Sequence, residues 1–279
     1  MGIKKEQVWF ITGASKGFGL ALTQRLLAMG HKVAATSRDK ANIEAELGID
    51  RCGLLSITVD LTDESAVKAA IENTVKHFGR IDVVVNNAGY MLLGSLEEVS
   101  ADEFSRSMSL NVFAFLHVIR NVLLHFRARQ GGHIFNYSSS AGYGGDACAG
   151  SYNAVKAAII GMSEALAKEV APFNIHVTIV SPGLFRTNLL GKGSFDIAAH
   201  KVEAYPTGQL VQAMDSYNGK QPGSPEKLAS IVVGTAAMTD PPLHLVLGHD
   251  AYSRAENYYK ARISELEANK AQSLSTDFD

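Results

Sequence analysis

The sequence predicts an α/β fold built as a doubly wound parallel sheet, with about seven strands and helices on both faces. Two observations predict it. Short apolar runs alternate along the chain with longer segments of helical periodicity, as in repeated strand–helix–strand units. Several of these runs also stop at glycine, asparagine, aspartate or proline, and folds of this type bind ligands at the carboxyl ends of their strands.

The start of the chain contains one complete strand–helix–strand unit. The apolar runs 8–11 and 32–36 are predicted to be short buried strands. Between them, apolar residues recur at helical spacing over 20–29, and Gly30 follows as a plausible helix cap. Such a unit implies that the two strands are parallel.

The alternation continues to residue 247. Further strands are predicted at 54–59, 81–85, 133–137, 175–180 and 243–247. Further helices are predicted at 66–78, at 100–129, at 151–170 and from Ser224 onward. The helix at 100–129 begins with a capping box of Ser100 and Glu103, and the last begins with Ser224 as the cap before Pro225.

Two segments depart from this rhythm within a single domain that spans 1–279. Residues 188–223 carry glycines and scattered apolar side chains, and a stretch this long between elements is usually functional or disordered. We interpret this segment as a mobile lid over a pocket, with a solvated loop as the alternative. The C-terminal extension 250–279 is charged and permits a helix, so we expect a surface helix with a frayed end.

The composition narrows the classes of function. The 279 residues carry 26 basic and 28 acidic side chains, a net charge of −2, so no basic excess favours nucleic-acid binding. No stretch approaches the roughly 18 uninterrupted apolar residues of a membrane span. The two cysteines lie far apart and the nine histidines form no tight metal-binding pattern. We therefore expect no disulfide framework, no metal and a cytoplasmic location.

A glycine-rich turn follows the first strand. Glycines at 13, 17 and 19 permit a tight turn and let a pyrophosphate approach the backbone at the N-terminus of the next helix. The turn is not a P-loop, because Lys16 precedes Gly17 and no GK[ST] sequence occurs. In a Rossmann-like strand–turn–helix unit, this pattern favours dinucleotide binding.

The end of the second strand indicates which dinucleotide is bound. Proteins that bind NAD place an acidic residue there, whereas proteins that bind NADP place positive charge there for the 2′-phosphate. No acid precedes Asp39, and Arg38 can form a two-pronged contact with a phosphate. Lys16 in the glycine turn supplies a second charge. We therefore expect NADP(H), with two solvated surface charges as the alternative.

Tyr152 and Lys156 are four residues apart and share one face of the predicted helix 151–170. A lysine ammonium beside a phenol stabilises the phenolate, so we expect the pKa of Tyr152 to lie below its ordinary value of about 10. A tyrosine tuned in this way can exchange a proton with a reacting oxygen that a nearby serine hydroxyl holds. An ordinary helix-surface pair is the alternative.

Several motifs between residues 7 and 190 occur together in a fixed order. They are Thr12-Gly-x-x-x-Gly-x-Gly19, Asp60 after the third strand, Asn86-Asn-Ala-Gly89, Asn111 in the long helix, Ser139, Tyr152-x-x-x-Lys156 and Pro182-Gly-x-x-x-Thr187. Together they resemble the motifs of the classical short-chain dehydrogenase/reductase family. Tyr152 lies thirteen residues after Ser139, which is the usual spacing in that family.

The resemblance implies the roles of individual residues. Tyr152 would be the acid/base and Ser139 would hydrogen-bond the substrate oxygen. Lys156 would lower the pKa of Tyr152 and hold the nicotinamide ribose, and Asn111 would keep a water linked to Lys156 through its backbone. The implied cofactor site consists of Gly13, Ser15, Lys16, Gly17, Phe18, Gly19, Arg38, Asp60, Leu61, Asn87, Ala88, Gly89, Tyr152, Lys156, Pro182, Gly183 and Thr187.

On this resemblance we expect an NADPH-dependent oxidoreductase that reduces a ketone or aldehyde of a largely apolar small molecule. Apolar residues at 184–190 and in the lid favour such a substrate; the lid residues are Phe195, Tyr205, Leu210, Met214 and Tyr217. The alternatives are a dehydrogenase that acts mainly oxidatively, a non-catalytic NADP(H)-binding regulator, and an isomerase or dehydratase on a similar fold. The family also implies a homodimer or homotetramer, and we expect no nucleic-acid or membrane partner.

Overall fold

A computed structural model of the chain describes residues 6–49, 51–191 and 194–278. Within these residues the main feature is a seven-stranded parallel sheet in the order β3-β2-β1-β4-β6-β7-β9. The strands are β1 (Val8–Ile11), β2 (Lys32–Ser37), β3 (Leu54–Thr58), β4 (Val83–Asn86), β5 (Met91–Leu93), β6 (Gly132–Tyr137), β7 (Ile175–Pro182), β8 (Phe195–Ile197) and β9 (His244–Leu247).

Helices cover both faces of this sheet. They are α1 (Gly17–Ala28), α2 (Ala41–Leu47), α3 (Glu64–Phe78), α4 (Ala101–Met108), α5 (Ala114–Arg129), α6 (Gly150–Val170), α7 (Thr207–Tyr217), α8 (Pro225–Ala236), α9 (His249–Ala268) and α10 (Lys270–Leu274). One apolar layer joins the sheet to α3, α5 and α6, and the other joins it to α1 and α8. Along β1, Trp9 and Ile11 enter one layer and Phe10 the other. The predicted doubly wound α/β fold is therefore confirmed.

The segment predicted as a lid, 188–223, contains regular structure that the sequence did not predict. β8 pairs in parallel with β5, and α7 follows it. Residues 192 and 193 of this segment lie outside the described residues. The segment is therefore built from short elements rather than from one irregular loop, whereas its mobility stays a prediction.

The long helix predicted at 100–129 begins at its predicted capping box. The Ser100 hydroxyl accepts a hydrogen bond from the Glu103 N–H, and the Glu103 carboxylate accepts one from the Ser100 N–H. The helix is not uniform, because the π-helical turn Ser109–Phe113 separates α4 from α5. This turn carries Asn111, so the irregularity lies at a predicted site residue.

The same run, Ala101–Arg129, is long and apolar enough to cross a membrane by length and composition, the one such helix among the described residues. Core helices of soluble proteins meet the same criterion. Phe115, Val118 and Val122 are buried in the apolar layer under the sheet. The run therefore gives only weak evidence for a membrane span.

The C-terminal extension forms the expected helix, but the first turns of that helix are packed against the fold. α9 begins at His249, and Ala251 and Ala255 on its inner face are buried. Tyr252 and Tyr259 on its outer face are exposed. The first two turns of α9 are therefore part of the packed structure rather than a surface appendage.

Candidate active site

Loops from the carboxyl ends of the strands surround a cleft of about 830 Å³. It lies where the strand order reverses, between β1 and β4, which is where such folds bind ligands. The predicted site residues that line it are Gly13, Ser15, Lys16, Gly17, Phe18, Arg38, Asp60, Leu61, Asn87, Ala88, Gly89, Ser139, Tyr152, Lys156, Pro182, Gly183 and Thr187. The two other predicted residues, Gly19 and Asn111, lie behind its wall.

The glycine turn between β1 and α1 leaves no room for side chains. Gly13 and Gly17 have φ angles of +67° and +56°, which other residues rarely adopt. A Cβ on Gly13 would stand 2.9 Å from the Cα of Ala88, and one on Gly19 would overlap the carbonyl oxygen of Gly13. The floor of the cleft is therefore bare backbone at the positive end of α1, as a close-lying pyrophosphate requires.

Hydrogen bonds lock the chain after β4 against this turn. The Thr12 hydroxyl accepts from the backbone N–H groups of Asn87 (2.9 Å) and Ala88 (3.1 Å). The Asn87 amide donates to the carbonyl oxygens of Thr12 (2.9 Å) and Gly13 (3.1 Å). The two loops on either side of the switch point thus form one rigid unit.

Two cations stand together beside the end of β2. Burial lowers the pKa of Lys16, and the nearby Arg38 guanidinium lowers it further. The Lys16 ammonium also donates a 2.7 Å hydrogen bond to the Ser194 hydroxyl in the lid segment. Hydrogen bonds from Thr62 lower the pKa of Asp60, and the positive charge of Arg38 adds to the effect. Because like charges repel, the pair of cations favours an anionic ligand beside it.

Tyr152, Lys156 and Ser139 converge on the cleft from α6 and from the end of β6. The Lys156 Nζ atom lies 5.7 Å from the centre of the Tyr152 ring and donates a 3.0 Å hydrogen bond to the Tyr137 carbonyl oxygen. The Ser139 hydroxyl accepts from the Ala141 N–H at 3.1 Å and is hydrogen-bonded to Tyr152. The Tyr152 phenol, the Ser139 hydroxyl and the Lys156 ammonium therefore lie close together in the cleft.

The electrostatics of this group differ from the prediction. Burial raises the pKa of Tyr152 above its ordinary value of 10, and the hydrogen bond with Ser139 offsets only part of that increase. Burial also lowers the pKa of Lys156 from 10.5 to about 8. The expected lowering of the Tyr152 pKa is wrong for the chain alone, because removal from water disfavours the phenolate more than the hydrogen bond with Ser139 favours it. Tyr152 consequently holds its proton at neutral pH.

Asn111 is fully buried behind the cleft wall, in the π-helical turn. Its side chain accepts from the Tyr90 N–H (3.2 Å) and donates to the Ser107 carbonyl oxygen (3.0 Å). A Cβ on Gly89 would stand 2.6 Å from the Asn111 Oδ1 atom and 4.0 Å from the Lys156 Nζ atom, so both side chains border the same glycine. The structure thus places Asn111 near Lys156, and the water relay stays a prediction.

An apolar cluster that includes Tyr152 forms one side of the site. Three of the five lid side chains expected to favour an apolar substrate pack into this cluster: Phe195, Leu210 and Met214. The other two do not, because Tyr205 and Tyr217 are each 38% exposed. The lid therefore places part of its apolar surface next to the catalytic group.

Glu98, in the loop between β5 and α4, and Glu103, in the first turn of α4, hold the lid segment, a role that was not predicted from the sequence. The buried Glu98 carboxylate accepts from the Thr207 hydroxyl (2.5 Å), the Ser95 N–H (2.7 Å) and the Val202 N–H (3.2 Å), and these bonds lower its pKa to about 2. Glu103, besides its capping role, accepts from a lid N–H at 2.9 Å. Two acids five residues apart give no spacing signal that could have identified this role.

Several polar groups of the cleft were not predicted from the sequence. In the described part of the chain, three lining side chains keep buried polar atoms without a hydrogen-bond partner: Thr36, Tyr137 and Gln221. Such atoms are uncommon in proteins unless a ligand or water satisfies them. No group of three or more His, Cys, Asp or Glu side chains that could hold a metal ion occurs among the described residues.

Comparison with known proteins agrees with this geometry. The family model for short chain dehydrogenases matches residues 7–196. Oxidoreductase BOA17 of Botryotinia fuckeliana (strain B05.10) is 34% identical over 252 residues, covering 89% of this chain and 91% of the relative. The 3-ketodihydrosphingosine reductase of Bacteroides thetaiotaomicron is 35% identical over 246 residues, covering 87% and 88%.

Solved structures are similar over the same length. A short-chain dehydrogenase from Streptomyces avermitilis has a TM-score of 0.90 at 35% identity, covering 98% of this chain and 100% of that chain. A 3-ketoacyl-(acyl-carrier-protein) reductase from Brucella melitensis, solved with NADH, has a TM-score of 0.72 at 28% identity, covering 86% and 95%. ElxO, solved with NADP, has a TM-score of 0.73 at 27% identity, covering 86% and 96%.

Similar proteins thus bind either form of the nicotinamide cofactor. The family model alone covers more than half of the chain, and both relatives exceed 30% identity over most of their length. The protein therefore belongs to the classical short-chain dehydrogenase/reductase family and is an oxidoreductase that acts on CH–OH and C=O groups.

Proposed function

We propose that this oxidoreductase uses NADPH to reduce a ketone or aldehyde group of a largely apolar small molecule. The observation that carries the choice of cofactor is the pairing of Lys16 with Arg38 beside the end of β2. The observation that supports reduction is the buried, protonated Tyr152 beside Ser139.

The polar groups of the cleft fit a dinucleotide with a 2′-phosphate. The guanidinium of Arg38 suits two-pronged binding of that phosphate, and Lys16 adds a second positive charge. An NAD site would instead need a free carboxylate to accept from the ribose 2′-hydroxyl. The first acid, Asp39, lies two residues beyond the end of β2, and one of its carboxylate oxygens accepts a 3.0 Å hydrogen bond from the Ala41 N–H at the start of α2.

The residues at the catalytic end perform the proton chemistry. The nicotinamide supplies the hydride when the cofactor is bound. Ser139 holds the substrate oxygen, and Tyr152 donates its proton to that oxygen as negative charge develops on it. Lys156, close to the Tyr152 ring, then stabilises the phenolate that remains. The oxidative direction would use the same residues in reverse.

The apolar cluster around Tyr152 supports an apolar substrate, because binding pockets match the polarity of what they bury. Two of the similar proteins are named as reductases of 3-keto compounds, which supports the reductive direction. A dehydrogenase that works mainly oxidatively is the alternative for the same site. A non-catalytic regulator would bind NADP(H) without turning over any carbonyl.

We further propose that the protein works in the cytoplasm as a homodimer or homotetramer. Both cysteines are free, as in proteins of reducing compartments. On α5, Leu116 and Leu124 are 36% and 63% exposed, and a second copy would cover them. Light scattering should give a mass of two or four times 29.9 kDa; a monomer at micromolar concentration would contradict the oligomer.

The test of the reaction is the absorbance of the reduced nicotinamide with NADPH and NADH in parallel, over a panel of apolar ketones and aldehydes. The proposal predicts turnover with NADPH, much weaker turnover with NADH, and none in Tyr152→Phe. Turnover with NADH alone would overturn the choice of cofactor. Activity only with alcohols and NADP⁺ would favour the oxidative alternative, and tight NADPH binding without turnover would favour a regulator.

A further inference from the structure

Helix α9 packs against loops that border the catalytic part of the cleft. Its side chains Asp250 and Arg254 are four residues apart and therefore project from the same face of the helix. The small side chains Ala251 and Ala255 are buried and bring this part of α9 into contact with the turn Ser140–Gly142. That turn directly follows Ser139, the predicted oxygen-binding residue.

Arg254 forms hydrogen bonds with the loop that follows this turn, residues 143–146. Its Nε donates to the Tyr143 carbonyl oxygen (2.9 Å), and its Nη2 donates to the Gly144 carbonyl oxygen (3.2 Å). Its two terminal nitrogens also bind the two carboxylate oxygens of Asp146, at 2.9 Å and 2.8 Å. Only a planar guanidinium can make these bonds together, because an ammonium lacks its fork of N–H groups.

Asp146 carries this connection onward to the catalytic residues. Its N–H donates to the side-chain oxygen of Asn153 (2.9 Å), and its carboxylate accepts from the Asn153 amide (3.2 Å). That amide also donates to the Ala141 carbonyl oxygen (2.9 Å), and the Ala141 N–H donates to the Ser139 hydroxyl. The network therefore ends at the Ser139 hydroxyl, which is itself hydrogen-bonded to Tyr152.

Asp250 holds a second loop, the one that follows β7. Its carboxylate accepts a 2.7 Å hydrogen bond from the Leu184 N–H. It also lies against Gly183 so closely that a Cβ there would overlap both carboxylate oxygens. Gly183 belongs to the implied cofactor site, and Leu184 lies between it and Thr187, which by the family resemblance would anchor the nicotinamide carboxamide. The carboxylate therefore fixes where the stretch 183–187 leaves the sheet.

We propose that Asp250 and Arg254 are positioning residues for the reaction. One face of α9 sets the distance between the loop that carries Ser139 and the loop that receives the nicotinamide, a role that rests on the proposed function. Within the described part of the chain, neither side chain lines the cleft, so each acts through the loop it binds. Arg254 controls the alignment of the hydroxyl with the substrate, and Asp250 controls the fit of the cofactor.

The kinetic test uses the full chain and compares five variants. Arg254→Met removes the network, whereas Arg254→Lys keeps the ion pair with Asp146; Asp250→Ala removes the acceptor for the Leu184 N–H, whereas Asp250→Asn keeps it. Lys260→Met is the control, because Lys260 lies exposed on the same helix and forms an ion pair with Glu256 of that helix.

The two loops should respond differently. We expect Arg254→Met to lower kcat by about 10- to 100-fold with the KM for NADPH nearly unchanged, because a misplacement of about 1 Å costs that much. Arg254→Lys should recover part of this loss. Asp250→Ala should mainly raise the KM for NADPH, Asp250→Asn should stay near wild type, and Lys260→Met should match wild type in both.

Amide hydrogen exchange separates this proposal from the proposed function. Arg254→Met should speed exchange within 140–147 and Asp250→Ala within 183–187, each confined to its own loop, whether or not any carbonyl is reduced. Failure of the wild type to reduce any carbonyl would refute the proposed function alone. Unchanged exchange in both loops, or exchange that rises throughout the chain with no recovery in Arg254→Lys, would overturn the positioning roles.

Discussion

The cleft has two halves that are built in different ways. The half beneath the glycine turn is formed by backbone. Gly13 lies so close to Ala88 that a Cβ would not fit, and hydrogen bonds made by Thr12 and Asn87 join the two loops. The other half, the lid half, is formed by the lid segment 188–223 and is lined by side chains. Carboxylates such as Glu98, in the loop after β5, accept hydrogen bonds from this segment. A pyrophosphate of fixed shape suits the first construction, whereas apolar substrates of differing shape suit the second. Mutations in the two halves should therefore have separable effects.

The largest effect is expected where the halves meet. Tyr152→Phe should lower kcat by about 10²- to 10⁴-fold, which is the usual contribution of a general acid. The dissociation constant of NADPH and the melting temperature should change little, because the ring remains. Steady-state kinetics and a fluorescence titration check both statements. A variant that keeps more than a tenth of the wild-type turnover would remove Tyr152 from the acid role.

Gly13→Ala should disrupt the half of the cleft beneath the glycine turn, where we expect the cofactor to bind. Its Cβ would stand 2.9 Å from the Ala88 Cα at a φ of +67°, so we expect at least a tenfold loss of NADPH affinity. A loss of stability of about 1–3 kcal/mol should accompany it. Gly30→Ala is the control, because Gly30 has a φ of +81° but nothing within 4 Å of a new Cβ. Equal effects of the two substitutions on NADPH binding would show that the close contact is irrelevant.

Glu98→Gln should weaken the hydrogen bonds that hold the lid half of the cleft. It replaces a carboxylate that accepts three hydrogen bonds, and leaving a buried group unpaired costs about 1–3 kcal/mol. We expect faster proteolysis of 198–207 and a higher KM for the ketone, with NADPH affinity close to wild type. A loss of NADPH affinity as large as that of Gly13→Ala would contradict the separation of the halves.

The same carboxylate predicts a dependence on pH. Its pKa falls from 4.5 to about 2 because Thr207, Ser95 and Val202 donate hydrogen bonds to it. A lowered pKa in the folded state stabilises the lid above pH 4.5, and that contribution disappears as the pH falls from 4.5 towards 2. Proteolysis of the lid by an acid-active protease should therefore accelerate over this window. Glu98→Gln should lack the acceleration, and an identical pH profile in the variant would contradict the assignment.

Tyr205→Phe should have the smallest effect. The Tyr205 hydroxyl donates a 2.7 Å hydrogen bond to Glu97, but the ring is 38% exposed, so water replaces the lost partner. We expect a loss of at most about 0.5 kcal/mol in unfolding free energy and no measurable change in NADPH affinity. Chemical denaturation checks the first statement. A larger loss would mean that this exposed bond anchors the lid as firmly as Glu98.

The two halves also differ in how far the sequence predicted them. Gly13, Asn87, Tyr152 and Lys156 follow strand ends or a helical spacing, so local pattern and family resemblance placed them at the cleft. Glu98 and Thr207 are 109 positions apart, and their contact depends on how β5 and β8 pair. No local spacing predicts such a contact, which is why the lid appeared irregular in sequence.

Other differences have electrostatic and packing causes. The pKa of Tyr152 rises rather than falls because its burial, which the spacing to Lys156 does not reveal, outweighs the hydrogen bond with Ser139. Arg254 looked like a surface residue because its neighbours in sequence are charged. Its partners Tyr143 and Asp146 lie more than 100 positions earlier in the chain. Burial and long-range pairing are set by the tertiary fold, so sequence patterns alone did not predict them.

The most direct test of the account is the ratio of kcat/KM with NADPH to kcat/KM with NADH, measured on one apolar ketone. It should be measured for the wild type and for the double variant Lys16→Ala/Arg38→Ala. A hydrogen bond to a charged group contributes about 1.5–3 kcal/mol, so the wild type should favour NADPH by roughly 10- to 100-fold or more. We predict that this ratio falls towards one in the double variant while turnover with NADH persists. A wild type that uses NADH equally well, or a ratio that survives the substitutions, would contradict it.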